Sequence, residues 1–186
     1  FKESKMKKYI IILFVFVSIL SCNNYKNDEN IVISLGGEVA TIDPHLNTAN
    51  IGTVYIRHFF EGLMKKDKDG KIIPGIAERY EMSDDGLVYT FYLRTNAKWS
   101  DGKNFTADDF LYSYRRFVDP KTAAPYGHLM KPIKNALKIT KGEIPVEELG
   151  IKKIDDYTLE ITLENPTAYF LELADMYLPV RKDIIE

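Results

Sequence analysis

The sequence predicts an α+β fold for residues 31–186, with mostly antiparallel strand pairing. Phe91 and Leu93 alternate with more polar neighbours, which is typical of a strand with one buried face. Phe110 and Tyr114 instead follow the spacing of an amphipathic helix. Strands, helices and hairpin turns also succeed one another without a regular strand–helix alternation. That order favours the α+β class over a parallel α/β sheet.

The first predicted elements are a strand, a loop and a helix. Ile31–Leu35 is a short β-rich run that two glycines end, and it predicts a strand. Residues 36–50 carry glycine, proline and asparagine without a clear period, so they are predicted to form a loop. Val54–Met64 has apolar residues at helical spacing and predicts a helix with one buried side. Lys66–Lys71 is predicted to be the turn that follows this helix.

Two hairpins are predicted further along the chain. Ser83–Gly86 is a strong turn signal before the strand at Tyr89–Leu93, and Trp99–Gly102 forms the next turn. Residues 121–149 are rich in proline and glycine and predict irregular structure. Gly150–Leu163 then reads as a second hairpin, because alternating apolar residues follow a turn of two aspartates.

Two helices are predicted from their capping residues. Thr106 lies three residues before Asp109, an arrangement in which each residue can bond the backbone of the other at a helix start. The helix should stop before Pro120, because proline restricts the residue that precedes it. Thr167 is predicted to cap a last helix that runs through Asp175.

The N-terminal residues predict an export signal over residues 6–21. Lysines precede the apolar run Tyr9–Leu20, which in a helix would span about 18 Å, short of the roughly 30 Å hydrocarbon core of a bilayer. Ser21 and Cys22 follow this run and resemble the lipobox of bacterial lipoproteins, although Leu20 is bulkier than the residue that lipoproteins usually have at this position. A secretory signal with an incidental cysteine, or a transmembrane anchor, would be the alternatives.

The lipobox resemblance implies that Cys22 carries lipid and holds the protein at a membrane. Stable anchoring needs at least two acyl chains, which a lipoprotein cysteine normally supplies. Residues 22–30 then read as a polar, disordered tether. Residues 1–5 lie upstream of Met6 and are predicted to lie outside the fold.

Composition and missing motifs argue against several functions. The net charge of −2 favours neither nucleic acid nor anionic lipid as a partner. Cys22 is the only cysteine, which excludes an intrachain disulfide or a multi-cysteine metal site. His45 and His58 lack the spacing of a metal site, and His45 is predicted to cap a turn. Without a serine elbow, phosphate loop or triad order, we expect no enzyme, cofactor or metal.

A resemblance to a known family covers residues 31–186. Four neighbouring segments resemble the signature region of the extracellular solute-binding proteins of family 5. They are Ala77–Tyr80, Ser83–Arg94, Lys98–Lys103 and Phe105–Phe110. These proteins serve ABC importers of peptides, nickel and related ligands. Further segments are similar to the oligopeptide-binding branch: Gly37–Val39, Ile42–His45, Phe60–Leu63, Asp119–Tyr126, Leu149–Ile151 and Asp155–Ile161.

This resemblance implies a two-lobed periplasmic-binding-protein-like fold of type II, of which residues 31–186 form part of the first lobe only. It implies capture of oligopeptides at the periplasmic or extracellular face and their delivery to a permease, with ATP hydrolysis in a partner ATPase. It also implies that the strand at Ile31–Leu35 pairs with strands beyond residue 186. An adhesin or peptide sensor on the same fold, and a relative that binds nickel or another solute, stay open as alternatives.

The resemblance further implies where the peptide lies. In the family the ligand is extended and bonds to protein backbone, and the corresponding segment here is Thr48, Ala49 and Asn50. Relatives tend to have glutamate at the position of Thr48, so a charge contact is not expected there. Tyr126 matches a tyrosine that lines the peptide cleft, with packing at a helix start as the alternative role.

Overall fold

The computed structural model describes residues 36–186, and residues 37–186 form one compact unit. The predicted export signal, Cys22, the predicted tether and the strand predicted at Ile31–Leu35 lie outside the described residues. In the described part of the chain, no helix is both long and apolar enough to cross a membrane.

Helices and strands are intermixed, as the predicted class requires. The strands are β1 (Met64–Lys66), β2 (Ile72–Pro74), β3 (Ala77–Met82), β4 (Val88–Leu93), β5 (Ile151–Asp155) and β6 (Thr158–Thr162). The α-helices are α1 (Asn50–Phe59), α2 (Ala107–Val118), α3 (Ala136–Thr140), α4 (Phe170–Met176) and α5 (Lys182–Ile185). Two 3-10 helices occupy Gly127–Met130 and Val146–Glu148.

The main sheet has four antiparallel strands in the order β3-β4-β6-β5, and β1 and β2 form a separate hairpin. Each strand of the larger sheet begins or ends at a predicted turn. Tyr89 pairs with Ile161 and Phe91 with Leu159, so the apolar residues of β4 and β6 share one face. The predicted alternation is therefore confirmed in both central strands.

The hydrophobic core lies between this sheet face and helices α2 and α4. Phe91 and Leu159 are fully buried on the sheet, as is Phe110 on α2. Phe170 on α4 is also fully buried, and its ring centre lies 4.8 Å from that of Tyr89. Packing of this kind stabilises the sheet and both helices together, because each element covers the apolar face of another.

Helix α2 begins and ends where its capping residues predict. The N–H of Thr106 donates a 2.8 Å hydrogen bond to Oδ2 of Asp109, which satisfies a backbone donor at the helix start. The helix ends at Val118, directly before Asp119 and Pro120. The aromatic stripe predicted for this helix is buried.

The boundaries predicted for the first helix are wrong. It spans Asn50–Phe59 and not Val54–Met64, because Leu63 and Met64 are buried at the start of the β1–β2 hairpin. Gly62 lies against α4, where an added Cβ would stand 2.5 Å from the carbonyl oxygen of Ala174. This close approach requires glycine at position 62.

Two smaller predictions also need correction. Residues 121–149 contain the short helix α3 in addition to turns. Thr167 does not cap α4 through its side chain, since its Oγ1 donates to the carbonyl oxygen of Asn165 at 2.9 Å. Helix α4 instead begins at Phe170, whose N–H donates to the Thr167 carbonyl.

Candidate ligand-binding site

An ion pair anchors the loop that leads to α1. Arg116 on α2 donates to both carboxylate oxygens of Asp43, at 2.7 and 3.2 Å, and the two side chains are mostly buried. Burial by itself would raise the pKa of the Asp43 carboxyl. The hydrogen bonds and charge of Arg116, together with the N–H of His45, outweigh it and lower that pKa. The loop is therefore held to α2 by a charged pair.

His45 ties the same loop to the C-terminal part of the chain. Its Nδ1 lies 2.7 Å from Arg116, which can only donate, so Nδ1 accepts and Nε2 carries the proton. Nε2 then donates to the carbonyl oxygen of Leu178 at 3.0 Å. The ring is buried and stacks on Phe117 at 4.9 Å. Burial, reinforced by the positive charge of Arg116, lowers the pKa of His45 to about 4. Both ring nitrogens bond to distant residues, Leu178 and Arg116, so the predicted role of His45 as a turn cap is wrong.

Asn47 shapes the backbone around the predicted ligand segment. Its Nδ2 donates to the Ala49 carbonyl at 3.1 Å and to Oγ1 of Thr53 at 3.0 Å. Its Oδ1 accepts from the Ala49 N–H at 3.2 Å. Gly52 makes room for this side chain, because a Cβ there would lie 2.1 Å from Oδ1. The loop is thus fixed from within.

Thr48, Ala49 and Asn50 are exposed on the outside of this loop. Ala49 has extended backbone angles and precedes the first residue of α1. Among residues 36–186, neither the N–H nor the C=O of Thr48 has a hydrogen-bond partner. An exposed, extended segment with free backbone groups is suited to accept an added strand.

Tyr126 lines the same cavity as Asn47 and Thr53. It is 45% exposed and precedes the 3-10 helix Gly127–Met130, so it is not packed into the core at that helix start. It lines a cavity of about 190 Å³ together with Asn47 and Thr53, the residues that flank the predicted segment. The fold therefore places Tyr126 at one cavity with Asn47 and Thr53, while Thr48, Ala49 and Asn50 are not among the residues that line it.

A second ion pair borders this cavity and was not predicted from the sequence. Nη1 of Arg57 on α1 donates to Oδ1 of Asp175 on α4 at 2.6 Å. The side chain of Asp175 is 3% exposed, and its Oδ2 is buried without a hydrogen-bond partner in the described part of the chain. The two residues lie 118 positions apart, and no local pattern links them.

Comparisons with known proteins agree with this geometry. The model of the bacterial extracellular solute-binding proteins, family 5 Middle, matches residues 71–183. The periplasmic oligopeptide-binding protein OppA of Escherichia coli K12 is 44% identical over 147 residues, which are 78% of this chain and 27% of that protein. The probable deoxycholate-binding periplasmic protein YgiS of the same strain is also 44% identical, over 132 residues, which are 70% of this chain and 25% of that protein.

A solved structure shows the same fold. Listeria monocytogenes OppA bound to peptide superposes with a TM-score of 0.77 at 42% identity, over 80% of this chain and 30% of that one. The chain therefore spans less than a third of the length of these relatives. The residues described here match part of a family 5 binding protein, as the first-lobe prediction requires.

Proposed function

The chain belongs to the bacterial extracellular solute-binding proteins of family 5, and on this premise we propose that it belongs to the oligopeptide-binding component of an ABC importer. The observation that carries the proposal is the exposed backbone of Thr48, which has no hydrogen-bond partner among residues 36–186 and directly follows Asn47 at the cavity that Tyr126 lines. A peptide that adds there as a strand would use N–H and C=O groups that every peptide has, so many side chains would be tolerated.

The proposed role is binding without chemistry. The second lobe would close over the peptide, and the closed form would pass it to a membrane permease. Hydrolysis of ATP would belong to a partner subunit. The matched relatives are binding proteins, and the two ion pairs at this site connect structural elements to each other. Asp43 and His45 are engaged by Arg116, which supports a positioning role and no enzymatic activity.

We also propose that the protein is anchored by lipid at Cys22 outside the cytoplasmic membrane. The domain order is then a signal at residues 6–21, a tether at 22–30 and the partial first lobe at 31–186, with residues 1–5 outside the fold. Replacement Cys22→Ala should move the full-length protein from the membrane fraction to the soluble fraction and leave peptide affinity unchanged. Membrane retention of this variant would contradict the lipid anchor.

Calorimetry on the full-length protein tests the peptide-binding proposal. A mixture of short peptides should bind, and Thr48→Pro should weaken binding at least tenfold because proline has no N–H to donate. Thr48→Val is the matched control, since it changes the side chain and keeps the N–H. Equal loss in both variants would contradict backbone recognition. Peptides that bind no better than buffer, or tight binding of deoxycholate alone, would overturn the oligopeptide proposal.

A further inference from the structure

The cavity beside the predicted ligand segment has an apolar lining that the backbone contact does not use. It lies between α1, α4 and the 3-10 helix after Tyr126. Its apolar lining residues are Ile56, Phe117, Leu129, Met176, Tyr177 and Leu178. A cavity of about 150 Å³ lined by such side chains holds a molecule the size of benzene. The volume here, about 190 Å³, is therefore sufficient for one large apolar side chain.

The polar groups at this cavity are largely committed to each other. Arg57 is the one charged residue that lines it within residues 36–186, and its guanidinium is paired with Asp175 at 2.6 Å. Asn47 and Thr53 bond to one another at 3.0 Å. A cationic ligand side chain would lose its hydration here and would meet Arg57 without gaining an opposite charge, so the lining favours apolar groups over lysine.

The position of the cavity links it to the bound peptide. Asn47 and Thr53 both line it, and they flank the exposed Thr48 backbone in the sequence. Successive side chains of an extended peptide point to opposite sides. A peptide that bonds to Thr48 would therefore direct one side chain toward the cavity and its neighbours away from it. Met176 is 47% exposed and stands at the rim.

We propose that this cavity selects oligopeptides that carry leucine, isoleucine, methionine or phenylalanine at the one position opposite Thr48. The inference rests on the proposed peptide-binding function and adds a side-chain preference to it. Burial of a leucine side chain in place of alanine removes additional apolar surface from water, which corresponds to an affinity gain on the order of tenfold or more.

The test uses tetra-alanine and its single leucine and lysine derivatives, titrated into the full-length protein by calorimetry. One position should favour leucine over alanine by roughly tenfold, while lysine at that position gains nothing. Met176→Trp should narrow the cavity mouth and reduce the leucine preference. Met82→Trp is the matched control, because Met82 is 55% exposed on β3 and does not line the cavity.

The outcomes separate the two proposals. If the peptides bind but leucine gives no gain at any position, the cavity inference is wrong and peptide binding stands. If Met82→Trp reduces the preference as much as Met176→Trp, the cavity is not its source and the inference is likewise overturned. If none of the peptides binds, the proposed function fails, and the cavity preference fails with it.

Discussion

Arg116 donates a 2.7 Å hydrogen bond to Nδ1 of His45, although 71 residues separate them in the chain. Because arginine cannot accept a hydrogen bond, this contact keeps the imidazole neutral with its proton on Nε2. The same arginine pairs with Asp43. One guanidinium therefore fixes the tautomer of His45 and holds the loop before α1, and together with burial it keeps the imidazole neutral.

This contact predicts a loss of stability in mild acid. The pKa of His45 is about 4 in the folded protein, against about 6.5 in an unfolded chain. Between these values the unfolded chain takes up a proton that the folded protein does not, so the free energy of unfolding falls as the pH decreases. The free energy of unfolding should therefore be lower by about 3 kcal/mol once the pH has passed below both pKa values, and it should be unaffected above about pH 6.5. Urea unfolding at pH 7.5, 6 and 5 measures it.

A histidine replacement isolates this effect. His45→Gln should be less stable at pH 7.5. Between pH 6.5 and 4 its free energy of unfolding should also change less with pH, because the proton that His45 takes up on unfolding is no longer involved. His128→Gln is the control, because His128 is exposed and lies outside the Arg116 cluster. The same pH slope in His45→Gln and in the unmodified protein would contradict the assignment.

The pair between Arg57 and Asp175 predicts an asymmetric response to mutation. Arg57→Met would leave a carboxylate that is 3% exposed without its partner, and loss of about 3 kcal/mol is expected. Asp175→Asn should cost less, because the Arg57 side chain is 40% exposed and can be hydrated. Urea unfolding compares the two variants. Arg79→Met, in the exposed pair with Glu81, is the control and should leave stability unchanged.

Asn47 and Gly52 should be coupled. Gly52→Ala places a methyl group 2.1 Å from Oδ1 of Asn47, so we expect a loss of about 1–3 kcal/mol. In an Asn47→Ala background the obstructing amide is gone, and the same glycine replacement should cost much less. A double-mutant cycle by urea unfolding gives this coupling directly. Additive losses would mean that the close approach does not limit the residue at position 52.

Local elements of this fold were predictable from the sequence, and long-range contacts were not. The limits of α2 follow from Thr106, Asp109 and Pro120, which act within a few residues of the helix. Helix α1 ends at Phe59, and soon after it Gly62 lies against Ala174, a residue far away in the sequence. Periodicity contains no information about such a contact, so the predicted helix ran past its true end.

The residues of the candidate site also fall into two groups, those that the sequence predicts and those that only the structure shows. Thr48 and Tyr126 are predicted from the family resemblance, and the fold places Tyr126 and Asn47, the neighbour of Thr48, at one cavity. Arg57, Asp175 and Arg116 could not, because each works through a partner distant in the chain. A single sequence shows that charged residues are present and does not show which of them meet.

The last prediction concerns Ala123, whose backbone lies in the left-handed region with φ of 50°. This conformation costs a residue with a side chain roughly 1–2 kcal/mol, and the turn retains it because the Ala123 N–H donates to the Pro120 carbonyl at 3.1 Å. Glycine has no such cost but loses more entropy on folding. Ala123→Gly should therefore raise the free energy of unfolding by up to about 1 kcal/mol. Ala136→Gly, in helix α3, should lower it by about 1 kcal/mol, and a loss in both variants would show that the turn imposes no strain on Ala123.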